Sequence, residues 1–180
     1  MEIDQAILIL KQVERVDKSL DRQETVAEAI LELCNYWRTD FEGVAMSGAL
    51  GGPDWTTYER KIWEAGESLR LFMKPKRWSG KGPLLDAAAR ILLSRNYGKG
   101  RQTYALLLGD FGRGNYGEEV SSVLDDREVC GHAVAALTKA KIFGYAEQVG
   151  PLATHKVAWI RNAAKRYLKA AEGWAKTDRH

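Results

Sequence analysis

The sequence has few cysteines and histidines, and their spacing does not fit the common metal sites. Its 180 residues include 2 cysteines and 3 histidines. Cys34 and Cys130 each lie within an apolar pattern of helical period, so we predict two buried, reduced thiols. His132 follows Cys130 by two residues, whereas two ligands on one helix face are three or four residues apart. We therefore predict no bound metal and no other cofactor.

The sequence also lacks a long apolar run. The densest one, Ala6–Leu10, is far shorter than the roughly 18 to 20 residues that a membrane-spanning helix needs. The first residues, MEIDQA, include two acids and no basic segment, so they do not resemble a secretory signal. We therefore predict a soluble, cytoplasmic protein that makes no membrane contact. An apolar content of 45% is sufficient for a core that needs no covalent cross-links.

Charge is distributed unevenly along the chain. Residues 1–60 contain 12 acidic and 6 basic side chains, for a net charge of −6. Residues 61–180 contain 12 acidic and 21 basic side chains, for a net charge of +9. The C-terminal two-thirds would therefore attract an acidic partner, either a protein or a nucleic acid. The alternative is that the lysines and arginines only solvate helix faces, as they do on many helical proteins.

The apolar periodicity predicts an all-α chain of about nine helices. Apolar residues recur in steps of three and four within segments of about 2–16, 21–37, 53–74 and 84–93. The same spacing predicts further helices near 101–108, 115–124, 128–139, 144–153 and 157–172. Glycine and proline in residues 43–53 and 74–83 favour connectors there.

A two-helix unit is repeated in the last third of the chain. The second helix of each unit has one pattern, which reads Ile160-Arg161-x-x-Ala164-x-x-x-Leu168, Val129-Cys130-x-x-Ala133-x-x-x-Leu137 and, more faintly, Arg101-x-x-Tyr104-x-x-x-Leu108. A helical hairpin of about 30 residues leaves one apolar face uncovered, so it is stable only when the next hairpin stacks on it. We expect small residues where paired helices approach, and Leu137 and Leu168 between the layers.

Through this pattern, residues of about 100–172 resemble HEAT-type repeats. The resemblance implies a right-handed α-α superhelix of short helical hairpins within a single domain of residues 1–180. Residues 1–80 would be atypical N-terminal helices, residues 83–172 the HEAT-like repeats, and residues 173–180 a tail.

The same resemblance implies contacts between neighbouring repeats. In HEAT-type proteins a repeat arginine often bonds to an aspartate in the turn of a neighbouring repeat. Arg161 and Arg101 match the arginine, and Asp125 or Asp126 is the candidate aspartate. Cys130 stands at the arginine position of the middle unit, so a continuous series of such pairs is not expected.

Sequence motifs that could indicate chemistry have structural explanations. Residues 112–117 spell G-x-G-x-x-G, but no further strands are predicted, and His132 stands where a dinucleotide site requires an acid. The Gly-Lys-Gly segments at Lys81 and Lys99 lack the glycine spacing of a phosphate-binding loop. They are typical of helix ends, with backbone contact to nucleic acid as the alternative. We therefore predict that the protein is not an enzyme.

The final helix supplies the predicted partner-binding surface. Arg161, Lys165 and Lys169 lie one turn apart and away from its apolar face, and we call them the basic ridge. The candidate partner contacts are the basic ridge together with Trp159, Arg127 and Arg101. The first interpretation is a non-enzymatic module that binds an acidic protein, either as an adaptor or as an immunity-type inhibitor that neutralises a toxin.

A second interpretation is a protein that binds nucleic acid. The Trp159-x-Arg161 element is similar to one in the alkylpurine DNA glycosylases that are built from HEAT-like repeats. That resemblance implies DNA binding by basic residues and tryptophans on a concave face, but no aspartate here can be assigned to the catalytic position. Trp159 is also explained as an apolar anchor at a helix start.

Overall fold

The computed structural model describes residues 1–13, 20–41, 44–46, 55–73 and 80–177, and within these ranges the chain is mainly helical. The described residues form nine α-helices: α1 (Ile3–Lys11), α2 (Leu20–Asp40), α3 (Thr57–Met73), α4 (Pro83–Leu93), α5 (Gln102–Phe111), α6 (Gly117–Ser121), α7 (Cys130–Ala140), α8 (Ala146–Val149) and α9 (Ala158–Thr177). Their one β contact is an isolated antiparallel bridge between Ala45 and Thr56. The all-α prediction is confirmed, and the right-handed superhelix stays a prediction.

Glycine and proline set several of the observed boundaries. Pro83 opens α4, where its missing N–H removes no helical hydrogen bond. The predicted break near residue 97 is a 3₁₀ segment, Arg95–Arg101, in which Gly98 has φ of 52°. α8 is shorter than predicted, because the chain continues as the 3₁₀ segment Gly150–Thr154. Most of the two predicted connectors lies outside the described residues.

One cluster of buried residues extends from Val13 to Tyr167 and receives side chains from α2 through α9. At its C-terminal end, α5 packs on α7 and α7 packs on α9, so the second helices of the three predicted units lie side by side. At its N-terminal end, α2 packs on α1, α3 and α4. None of the described helices is long and apolar enough to cross a bilayer.

The two leucines predicted between layers are buried unequally. Leu137 on α7 has no exposed surface, whereas Leu168 on α9 is half-buried at the edge of the core. The larger buried side chain on α9 is Tyr167, whose hydroxyl donates to the Ile142 carbonyl oxygen at 2.9 Å. The same hydroxyl accepts the Tyr145 N–H at 3.1 Å. Tyr167 therefore takes the central place that the repeat pattern assigned to Leu168.

α5 and α7 approach each other closely at a glycine. A Cβ atom added to Gly109 would lie 2.6 Å from the Cα of Ala136 and 2.9 Å from its carbonyl oxygen. Both contacts involve backbone atoms, so rotation of a side chain cannot relieve them. The predicted small residues Ala133, Ala163 and Ala164 are also buried between helices.

Gly109→Ala is therefore expected to destabilise the protein by about 1 to 3 kcal/mol, the usual cost of overpacking a close contact. This loss would appear although alanine is the better helix former by up to about 1 kcal/mol. Gly173→Ala in α9 is the matched control, because a Cβ there has nothing within 4 Å and should stabilise. Urea unfolding followed by circular dichroism measures both changes. If both variants change the free energy of unfolding in the same direction and by the same amount, the close approach of α5 and α7 is contradicted.

Candidate functional site

The starts of three helices meet at one open groove. This groove, of about 540 Å³, lies where α5, α7 and α9 begin on the same side of the stack. Its lining residues come from the segments at these three starts: Lys99, Gln102, Arg127, Glu128, Gly131, His132, His155, Lys156, Val157, Trp159 and Ile160. Stacking of the second helices therefore brings together residues as far apart in the sequence as Lys99 and Ile160.

The groove is electropositive for two reasons. Among the described residues, Lys99, Arg127 and Lys156 line it together with a single acid, Glu128. None of α5, α7 and α9 has an acidic residue in its first turn, whereas α1, α3, α4, α6 and α8 each have at least one. Acids in a first turn offset the positive end of the helix dipole. These three helices thus lack that offset within their first turns, and the nearest described acids are Asp126 and Glu128 in the turn before α7.

Trp159 provides a fixed aromatic surface in the groove. Its side chain is 47% exposed, although it stands at the start of a well-packed helix. The ring edge rests on Gly131, where an added Cβ would overlap Cη2 of Trp159. The His132 ring packs edge-on against the indole, with 5.0 Å between ring centroids. α7 therefore holds the indole in place while about half of it stays open.

His132 contributes no charge to this surface at neutral pH. Burial, and to a smaller extent the nearby Arg70, lower the pKa of His132 from 6.5 to about 4. The neutral imidazole can pack against the indole without presenting a cation to the groove. The positive charge at the rim therefore comes from Lys99, Arg127 and Lys156.

The lowered pKa predicts that acid weakens the fold. The unfolded chain protonates His132 below about pH 6.5, but the folded protein resists this until about pH 4. The contribution of His132 to the free energy of unfolding is therefore fully present above about pH 6.5, and it is lost as the pH falls from there towards 4. Between pH 7 and 5 this one group removes about 2 kcal/mol. His132→Gln should abolish that part of the loss in urea unfolding at the two pH values, and equal losses in both proteins would contradict the assignment.

Arg101 lies behind the groove and not on its surface. It is 1% exposed, and its guanidinium donates to the Gly98 carbonyl oxygen at 2.8 Å and to Asp126 Oδ2 at 2.9 Å. Asp126 also accepts the Glu128 N–H at 3.0 Å. The arginine–aspartate contact predicted between units is thus present for Arg101 and Asp126. The prediction that Arg101 contacts a partner is wrong, because its side chain is buried.

The carboxylate of this pair stays ionised although it is buried. Burial alone would raise the pKa of Asp126, but the Glu128 N–H and the Arg101 guanidinium together hold that pKa below its usual value. The ion pair joins the start of α5 to the turn before α7. It therefore fixes two of the three segments that line the groove.

Arg161 positions the third segment. Its Nη1 donates to the carbonyl oxygens of His155 at 2.7 Å and Lys156 at 3.3 Å. The Val157 N–H donates to His155 Nδ1 at 3.1 Å, which closes the same turn. Within the described residues Arg161 bonds to no aspartate, so the prediction of such a contact is wrong for this arginine. Arg161 instead holds the turn that brings Lys156 and Trp159 into the groove.

The remaining predicted contacts fall into two groups. Arg127 and Trp159 lie in the groove, whereas Lys165 and Lys169 are exposed on α9 and are not among its lining residues. Sequence analysis missed Lys156, which no motif marks, and it identified Lys99 only as part of a Gly-Lys-Gly segment. The signal that could have indicated the groove is the absence of acids from the first turns of α5, α7 and α9.

The two cysteine thiols lie outside the groove lining. Cys34 and Cys130 are free and buried, as predicted, and burial raises the pKa of both thiols, to about 12 for Cys34. Neither thiol is therefore activated as a nucleophile. The described residues contain no cluster of three or more histidine, cysteine, aspartate or glutamate side chains that could hold a metal ion.

No family model, curated protein or solved structure matches the chain.

Proposed function

We propose that the protein is a non-enzymatic binding module whose groove receives an acidic segment of a protein partner. The observation that supports this is the meeting of three helix starts without first-turn acids and three cationic side chains around one exposed indole. Carboxylates on a partner would interact favourably with the cations and with the helix dipoles. The polar rim would set the orientation and the rate of association.

The module would act as an adaptor or as an immunity-type inhibitor. In a HEAT-like array the second helices present one continuous face, and here that face begins at the groove. A cytoplasmic toxin or other protein with an exposed acidic segment would bind there, and no chemical step would be needed for it to be held or blocked.

Trp159 favours a second candidate, a single-stranded nucleic acid. A base could stack on the open indole while Lys99, Arg127 and Lys156 neutralise phosphates. The similarity to HEAT-like DNA glycosylases is consistent with this alternative. Glycosylase activity would need an aspartate near the bound base, and the one acid that lines the groove within the described residues is Glu128.

Titration with two fluorescent probes distinguishes the candidates. One probe is a glutamate-rich peptide and the other a thymidine oligonucleotide of equal charge, each followed by anisotropy at low and at physiological salt. We expect the peptide to bind at least as tightly as the oligonucleotide. Tighter binding of the oligonucleotide would favour the second candidate. The logarithm of its affinity should then fall against the logarithm of the salt concentration with a slope of about −0.7 per phosphate contacted. If neither probe binds at low salt, the groove does not receive an acidic ligand.

A further inference from the structure

Resting on the proposed function, we infer that the acidic segment bound in the groove has one large apolar side chain, preferably aromatic, between its acidic residues. This side chain docks against Trp159, and the flanking carboxylates face Lys99, Arg127 and Lys156. The groove is thus a site for an anchored acidic peptide, and its selectivity depends on the anchor as well as on charge.

The groove lining includes an apolar patch. Trp159 is 47% exposed and Val157 is 37% exposed, and they stand two residues apart where α9 begins. Ile160 is buried below them, and Gly131 presents no side chain from α7. Two large apolar side chains open to solvent in one groove provide a surface that a partner's apolar group can cover.

The cations of the lining come from three different segments. Lys99 precedes α5, Arg127 precedes α7, and Lys156 precedes α9. An apolar centre with a polar rim is the usual arrangement of an interface in which a central anchor provides most of the affinity. A segment with carboxylates on both sides of the anchor would match charges that come from several directions.

Charge alone would give a partner little affinity, and it does not explain why the indole of Trp159 is exposed. Exposed ion pairs contribute little individually, and association must first offset a large loss of translational and rotational freedom. Trp159 is already held by Gly131 and His132, so contact with it costs little additional ordering. An aromatic side chain also gains from the edge and face geometry that ring pairs prefer. An apolar anchor on Trp159 therefore supplies binding free energy that the exposed ion pairs do not.

A double-mutant cycle tests the anchor directly. Two glutamate-rich peptides that differ only in a central phenylalanine or serine are titrated against the wild type, Trp159→Ala and Trp159→Phe. We expect the phenylalanine peptide to bind the wild type about tenfold more tightly than the serine peptide. We expect the two peptides to bind Trp159→Ala equally, and Trp159→Phe to restore most of the difference. Circular dichroism of each variant verifies that the fold is intact.

The outcomes separate this inference from the proposed function. Equal binding of both peptides to the wild type, with affinity that falls as salt rises, would overturn the anchor and leave acidic binding in place. A phenylalanine advantage that persists in Trp159→Ala would also overturn it, because the anchor would then dock elsewhere. Binding of neither peptide would reject both. A thymidine oligonucleotide that displaces the phenylalanine peptide at lower concentration would make nucleic acid the occupant and overturn the inference.

Discussion

Replacing Asp126 with alanine is expected to destabilise the protein by about 3 to 5 kcal/mol. The substitution leaves the guanidinium of Arg101 charged and without its carboxylate, although its side chain is only 1% exposed. It also removes the acceptor of the Glu128 N–H in the turn before α7. Urea unfolding at neutral pH measures the loss, which should exceed that of any single surface substitution on α9.

Asp125 provides the matched control one residue away. Its side chain is 71% exposed and bonds to Arg95, which is 61% exposed, at 3.0 Å. A surface pair of this kind contributes about 0 to 1 kcal/mol, so Asp125→Ala should hardly shift the unfolding midpoint. Combining Arg101→Met with Asp126→Leu should cost less than Asp126→Ala alone, because no unpaired charge stays buried. If Asp125→Ala and Asp126→Ala lower the free energy of unfolding by similar small amounts, water must solvate the Arg101 guanidinium, and its burial is contradicted.

Reversing two charges in the groove is expected to weaken partner binding about a hundredfold. The variant joins Arg127→Glu to Lys156→Glu, and both side chains are exposed in the groove. Each reversal replaces an attraction with a repulsion, which we estimate at about 1.4 kcal/mol, or tenfold in affinity. The fold should be unaffected, because both residues are exposed. Calorimetry with the acidic peptide measures the change, and circular dichroism verifies the fold.

The matched control places the same charge change on the basic ridge. Lys165→Glu with Lys169→Glu alters the net charge equally but lies outside the groove lining. We expect the affinity to change by no more than a few-fold, through long-range repulsion that salt screens. Arg161 is left intact in both variants, because it holds the turn before α9. If the ridge variant loses more affinity than the groove variant, the sequence-based choice of the ridge is right and the groove is not the binding surface.

Helix positions were predictable because their signals are local. The steps of three and four in α2 and α4, and the proline that opens α4, depend on residues within a few turns. The contact between Arg101 and Asp126 agrees with the resemblance to HEAT-type repeats, which implies an arginine–aspartate pair and leaves Asp125 and Asp126 as candidates. What the period could not decide was burial, so Arg101 was expected on the surface.

The groove was not predictable because it depends on how distant segments stack. Lys99, Arg127 and Lys156 lie about 28 residues apart in sequence and belong to segments that precede three helices, not to a helix face. Helical periodicity favours residues on one face of one helix, and this led to the basic ridge. The side chain of Arg161 belongs to that ridge by spacing, yet it bonds to backbone carbonyls of its own preceding turn.

An NMR titration of the backbone amides with the phenylalanine-containing acidic peptide tests the central claim most directly. If the groove binds the peptide, the largest shift changes should lie in residues 99–102, 127–132 and 155–160, while α2 and residues 165–173 change little. The largest changes in residues 165–173, or on α1 and α2, would contradict the assignment of the groove as the partner-binding site.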